Sequence, residues 1–273
     1  FLRDYGKYGK AEEIYSRSIA LREELYGEEH PATATVYNGI GEVYYRLADY
    51  DKALEYHFKA LDISKKILGE NHTDTATVYN SIGLVYHKQL DYDNALKFYL
   101  NCLDIRKKVL GEDHTDTAIS YSNIGSYYLY TGDNNRALEY YSKALKIVKM
   151  TLGEEHSYTA TLNSNIGNVY SKLADYEKAL EYSFKALEIR KIVLGEEHPE
   201  TASTYHHIGE VYIDLAECDN ASMYFTKAYE IYKKVLGENH PKTLLSYSFI
   251  TTDPEIALDS FFKAFETNKI ITN

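Results

Sequence analysis

The tripeptide Leu-Gly-Glu, with His two residues further on, returns every 42 residues. It stands at Leu68-Gly69-Glu70 with His72, Leu110-Gly111-Glu112 with His114, and Leu152-Gly153-Glu154 with His156, then at Leu194-Gly195-Glu196 with His198 and Leu236-Gly237-Glu238 with His240. An earlier copy, Tyr26-Gly27-Glu28 with His30, differs at its leading residue. A strict period between about 20 and 50 residues marks a solenoid, in which each unit buries its apolar face only against its neighbours. The 273 residues are therefore counted in repeats rather than in globular domains.

Within the unit from Thr33 to Asp74, Val36, Tyr37, Ile40, Tyr44 and Leu47 fall at spacings of three and four, the stripe of one helix. Ala48-Asp49 breaks that pattern, and the Asp49 carboxylate suits the free N–H groups that open a second helix. A second stripe follows at Tyr50, Ala53, Leu54, Ala60, Leu61, Ile63 and Ile67. Gly69 closes it, since the residue past a helix C-terminus commonly needs positive φ. The second helix is expected to run roughly 18 residues, or ~27 Å, so each unit reads as a hairpin of one shorter and one longer helix. Gly41, Gly83, Gly125, Gly167 and Gly209 recur in the first helix; Ala53, Ala95, Ala137, Ala179 and Ala221 recur in the second. Mid-helix Gly costs about 1 kcal/mol against Ala, so its return in every repeat predicts close helix–helix approach. No strand-like alternation competes, and the chain reads as all-α.

Tyr37-x-x-Ile40-Gly41-x-x-Tyr44, then Ala53 and Ala60, resemble the tetratricopeptide repeat pattern, with Tyr at the aromatic position in a chain that has no Trp and 29 Tyr. The 42-residue period and the linker from Leu194 to Ala202, Leu-Gly-Glu-Glu-His-Pro-Glu-Thr-Ala, are similar to the kinesin-light-chain type of this repeat. The resemblance covers essentially the whole chain. It implies a right-handed superhelical solenoid of antiparallel helix hairpins, with first helices lining a concave face and second helices a convex one.

One array spanning residues 1–273 is expected. It would comprise a partial repeat over 1–32, complete repeats over 33–74, 75–116, 117–158, 159–200 and 201–242, and a shortened one over 243–273. Ala11 matches Ala53 by one period, whereas Ala257 arrives six residues early. Thr251-Thr252-Asp253-Pro254 fills that gap, with Pro254 placed for a first helical position after an Asp cap. Asn163 stands where other repeats carry Tyr, and Cys218 replaces the Tyr of Tyr50, Tyr92 and Tyr176. With Phe at position 1 and no polar capping helix at either end, the chain is expected to be a segment of a longer polypeptide.

The net charge of −11 and pI near 5.4 argue against a nucleic-acid backbone as partner. No apolar run approaches the ~20 residues that cross a bilayer, so no membrane partner is expected. Two Cys, Cys102 and Cys218, point to a reducing, cytoplasmic setting. The six periodic His are spread along the array and do not converge on one ion, so each is expected to bond its local turn or the next repeat, and no metal or cofactor is expected. His206-His207 differs only in lying on a first helix. The pairs Glu28-Glu29, Glu154-Glu155 and Glu196-Glu197 read as solvated linker charge. With no nucleophile elbow, phosphate loop or dinucleotide fingerprint, the chain is not expected to be an enzyme.

A protein or peptide partner remains. Positions of the first helix that avoid the apolar stripe are expected to face the groove, and they nominate Asn38, Arg46, Asn80, Leu84, Lys88, Asn123, Tyr130, Asn165, Lys172 and His206. Asn is a poor helix former that recurs here, and its amide both donates to and accepts from a peptide backbone. The resemblance implies that Asn123 and Asn165, each in Ser-Asn-Ile-Gly, hold the main chain of a bound peptide; Asn38 and Asn80 are shifted by one residue. Arg46, Lys88 and Lys172 favour a partner with acidic residues, and Leu84 and Tyr130 supply apolar contact. The reading is an interaction scaffold. Its alternatives are the sensor or regulatory arm of a larger enzyme or signalling ATPase, and a kinesin-light-chain-type cargo adaptor. The open apolar end also suggests weak end-to-end self-association.

Overall fold

The computed structural model describes residues 13–14, 17–22 and 24–272, with side chains to 266. Ala11 lies outside the described residues. The chain divides into two compact units, Phe1–Asp133 and Asn134–Asn273. Among the described residues every regular element is helical.

In the first unit, helical residues between 13 and 26 precede α1 (Pro31–Arg46), α2 (Tyr50–Ile67), α3 (Thr73–Lys88), α4 (Tyr92–Leu110) and α5 (Thr115–Tyr130). The second unit holds α6 (Asn134–Thr151), α7 (Ser157–Lys172), α8 (Tyr176–Val193), α9 (Pro199–Asp214), α10 (Cys218–Leu236), α11 (Pro241–Ser248) and α12 (Pro254–Thr272). The two helices of a hairpin are nearly equal, 16 residues for α1 and 18 for α2. The expected inequality appears only in α11, which has eight residues.

The recurring linker explains these starts. Each first helix begins two residues ahead of the predicted repeat boundary because His is its N-cap. His30, His72, His114, His156, His198 and His240 are extended, and each Nδ1 accepts the backbone N–H two residues on. The linker glycines take φ near +90°, Gly69 at 91° and Gly195 at 90°. Their carbonyls accept from the buried Thr six residues later, at 2.9 Å for Thr75 on Gly69 and 2.8 Å for Thr201 on Gly195. The motif is a turn whose backbone groups are satisfied by its own side chains. The periodic His thus serve the local turn, as expected.

The return from first to second helix uses a left-handed residue. Ala48, Leu90, Ala174 and Ala216 have φ of 59°, 62°, 57° and 60°, and Gly132 takes the same place at 84°. The N–H of Asp49 reaches back to the Tyr44 carbonyl and that of Ala48 to Tyr45, which closes α1 as a Schellman motif. Asp49, Asp91 and Asp175 then cap α2, α4 and α8.

Hairpins close over the recurring glycines. A methyl group on Gly41 would sit 2.5 Å from the His57 ring, and one on Gly83 would sit 2.6 Å from Tyr99. The predicted stripes hold for Val36, Ile40, Tyr44, Ala53, Ala60 and Leu61, which are buried. Ile67 is corrected: it is 44% exposed in the last turn of α2, and Ser64 takes the inner position one turn earlier.

Candidate interaction surface

In the first unit, α1, α3 and α5 are the first helices. Asn123 on α5 donates its amide to Asn80 Oδ1 on α3 at 2.7 Å, so these helices lie side by side along their polar faces. The bond uses one donor of Asn123 and one acceptor site of Asn80, leaving each amide with unused capacity for a backbone. Asn38 belongs to the hairpin interior instead. His57 Nδ1 lies 2.8 Å from its Oδ1, and burial pulls that imidazole down to about 4.

Arg46 is exposed, but its guanidinium is held by Glu42 at 2.9 Å, one turn back. The pair occupies one guanidinium N–H within its own helix. Lys88 is exposed with no ion pair among the described residues. Leu84 is half-buried. Tyr130 is 67% exposed and packs edge-on against His87 at 4.9 Å. Tyr92 also meets His87, at 5.5 Å, and meets Tyr127 at 6.4 Å. Burial, then the Lys88 charge, lower the His87 imidazole, which is therefore a neutral aromatic surface. His87 and Tyr92 escape the stripe counting that nominated Tyr130. The series Tyr45, His87, Leu129, Ser171 and Ile213 sits between the inner stripe and the polar face and varies freely, which is the only signal it leaves.

The second unit presents α7, α9 and α11. Asn165 is half-buried and makes no hydrogen bond to protein among the described residues. Lys172 is exposed and likewise unpaired there. His206 turns toward α11: its Nδ1 lies 2.9 Å from Ser246 Oγ, and its ring packs edge-on to Phe225 and Phe249 at 5.0 and 5.7 Å. His207 Nδ1 reaches Glu210 at 3.3 Å, with His206 Nε2 at 3.6 Å from the same carboxylate. Burial alone would raise Glu210, but the two imidazoles outweigh it and hold the carboxyl at about 2. Glu210 is thus an anion anchored between two imidazoles, a feature that a one-dimensional reading of His206 alone omits. Among the described residues no group of three or more His, Cys, Asp or Glu is placed to hold a metal ion.

The face is therefore sparse. Among the described residues it offers one free cation in each unit, Lys88 and Lys172, an aromatic ledge around Tyr130, and amides at Asn80, Asn123 and Asn165. Among the described residues, no helix is long and apolar enough to cross a membrane.

The tetratricopeptide repeat profile matches residues 1–66, 40–93, 74–150, 158–234 and 200–252. No curated protein matches the sequence. Among solved structures, the chain is similar to a kinesin light chain candidate of Podospora anserina with nearly identical TPR-like repeats. That pair shows 18% identity over 75% of this chain and 97% of the other, with a TM-score of 0.64. It is also similar to the apo form of RapI, at 18% identity over 99% and 95% of the two chains with a TM-score of 0.75. A third is a signal transduction ATPase with numerous domains and a tetratricopeptide repeat sensor, from Pyrococcus horikoshii. There the identity is 20% over 94% of this chain but 40% of the other, with a TM-score of 0.68. At these identities the likeness is one of fold.

Proposed function

The chain belongs to the tetratricopeptide repeat family, and on that premise we propose that it is a protein-interaction scaffold that takes a segment of a partner protein along its first helices. Repeats of this fold typically serve binding rather than catalysis. The observation that carries the reading is the pair of exposed, unpaired lysines, Lys88 and Lys172, on faces that also present amides with spare hydrogen-bonding capacity. A segment with acidic residues suits those lysines, and an aromatic or aliphatic residue suits the ledge at Tyr130, His87 and Tyr92. Arg46 drops out as a recognition charge because Glu42 already holds it. Asn38 drops out because His57 engages it. His206 contributes through its pair with Glu210. The two free cysteines, Cys102 and Cys218, support a cytoplasmic setting.

The likeness to a signalling ATPase with a repeat sensor favours one second reading, in which this array is the sensing arm of a larger protein. Both readings place the ligand on the same face and differ in what the binding event drives.

The test is capture of acidic peptides from a random library, followed by titration of the best binder. Lys88→Glu or Lys172→Glu should weaken it by roughly 3- to 30-fold and flatten its salt dependence. Lys59→Glu, on a second helix, should leave it unchanged. Loss of binding with Lys59→Glu and retention with both first-helix variants would move the partner to the other face.

A further inference from the structure

The fourth predicted repeat breaks the pattern at Asn163, and the structure surrounds that break with a cavity. In the following repeat the equivalent residue is Tyr205, 1% exposed, whose hydroxyl donates to Glu196 Oε1 at 3.0 Å. Two ammonium groups lie over its ring, Lys191 at 5.7 Å and Lys227 at 5.4 Å from the centroid. In the first unit Tyr121 makes the same bond to Glu112, at 2.6 Å. The register therefore builds a phenol site, with a carboxylate for the hydroxyl and lysines for the ring face.

One period earlier, every partner of that ring is present and the ring is not. Lys149, Glu154, Lys185 and Ile189 stand in the places of Lys191, Glu196, Lys227 and Ile231. Together with Thr159 and Asn163 they line a cavity of about 240 Å³. A cavity of about 150 Å³ already admits benzene, so this one has room for a phenol. Asn163 is 2% exposed, and its Oδ1 has no hydrogen-bond partner. An unpaired buried acceptor is costly, so the residue is poorly explained as packing. Lys149 holds Glu154 at 3.2 Å at the cavity mouth, as Lys191 holds Glu196 at 2.9 Å.

We propose that this cavity between α6, α7 and α8 is a binding site for a phenolic ring, which takes the place that Tyr205 fills in the next hairpin. The hydroxyl donates to Glu154, as that of Tyr205 does to Glu196. Lys149 and Lys185 cover the ring face, and Ile189 packs its edge. Asn163 is then the specificity residue, because its shortness opens the site that Tyr closes elsewhere. The ring belongs either to a free phenol or to a tyrosine side chain of a bound peptide. This site lies apart from the first-helix face and stands whether or not that face binds a partner.

The experiment is calorimetric titration of the full chain with p-cresol, toluene and the capped tripeptide acetyl-Gly-Tyr-Gly-amide. Wild type, Asn163→Tyr and Glu154→Gln are compared, with circular dichroism confirming their fold. Wild type should bind p-cresol saturably and about tenfold more tightly than toluene, since a hydrogen bond to a carboxylate is lost with the hydroxyl. Asn163→Tyr should abolish binding of both, and Glu154→Gln should erase the preference for p-cresol. Displacement of p-cresol by the tripeptide assigns the site to a partner's tyrosine; binding of p-cresol but not the tripeptide assigns it to a free phenol. Absence of saturable p-cresol binding, or equal binding by wild type and Asn163→Tyr, overturns the proposal. Should Asn163→Tyr fail to fold, Glu154→Gln decides, because its side chain is 78% exposed and outside the core.

Discussion

Position 57 shows how much one residue carries in a periodic fold. Counting by 42, the series at this position is His57, Tyr99, Tyr141, Ser183 and Phe225, of which His57, Tyr99, Ser183 and Phe225 each close over the first-helix glycine of their own hairpin. All five are buried, so the constraint is on occupancy and not on chemistry. His57 alone is titratable near neutrality. Its Nδ1 is engaged by Asn38, and its Nε2 is buried without a partner, so a second proton has nowhere to be solvated. With a folded pKa of about 4 against an ordinary 6.5, the folded chain binds fewer protons than the unfolded one. Stability from this residue is whole above pH 6.5, declines as pH falls, and levels off below pH 4 at a loss of about 3 kcal/mol. His57→Phe copies Phe225 and removes the titration. Urea unfolding of both proteins from pH 7.5 to 4 should show wild type losing that much more than the variant. Parallel curves would mean that the imidazole is not what acid attacks.

At the scale of the element, the helix termini carry the architecture. The linker His, Gly and Thr form one hydrogen-bonded turn, and the hairpin return depends on a left-handed residue that is non-glycine in four of the five turns described. A side chain there costs roughly 1–2 kcal/mol in backbone strain, less what glycine loses in unfolded-state entropy. Leu90 is the clearest case, with φ 62° and a side chain 69% exposed that packs against little. Leu90→Gly should therefore stabilise the protein by about 0.5–1 kcal/mol, and Gly132→Ala should cost a similar amount. Thermal unfolding of the two variants checks the pair; shifts of the same sign would refute the assignment.

The termini also show what periodicity makes legible. Asp49, Gly69 and the glycine–alanine contacts are readable because caps and close approaches demand particular residue types. Helices start two residues ahead of where the spacing puts them, because His is an unusual cap and Pro31 and Thr73 look like linker. The left-handed turns leave no mark in the sequence, because Ala and Leu give no sign of positive φ. On the surface, the spacing that nominated Arg46 and Asn38 gives the direction of a Cα–Cβ bond but not the neighbour that claims the side chain. Glu42 and His57 claim these two. Asn163 was visible as a departure from the repeat, but the cavity above it needed Lys149, Lys185 and Glu154 to be seen around the same space.

At the scale of the whole molecule, a repeat chain is held by nearest-neighbour interfaces, so stability varies along it. The second unit displays this gradient. Its helices α7, α8, α9 and α10 form hairpins with full-length partners, whereas α12 follows the eight-residue α11. Phe261 occupies the register of Phe225, yet it is 47% exposed where Phe225 is fully buried, because the shortened helix does not reach it. Leu258 and Phe265 take the register of Leu54 and Leu61, and they are 57% and 64% exposed. The buried Leu61 gains roughly 1.5–3 kcal/mol that its counterpart Phe265 in α12 forgoes. Local opening of α12 therefore precedes global unfolding. Amide exchange across 261–270 should be at least about 100-fold faster than across 137–147. The weak self-association expected from the sequence would use these exposed phenylalanines. If copies pair through them, protection of 261–270 should rise as protein concentration is raised, while that of 137–147 stays fixed. Exchange that is equally slow in both segments at every concentration would show that α12 is held by contacts within its own unit, and the gradient argument would fail there.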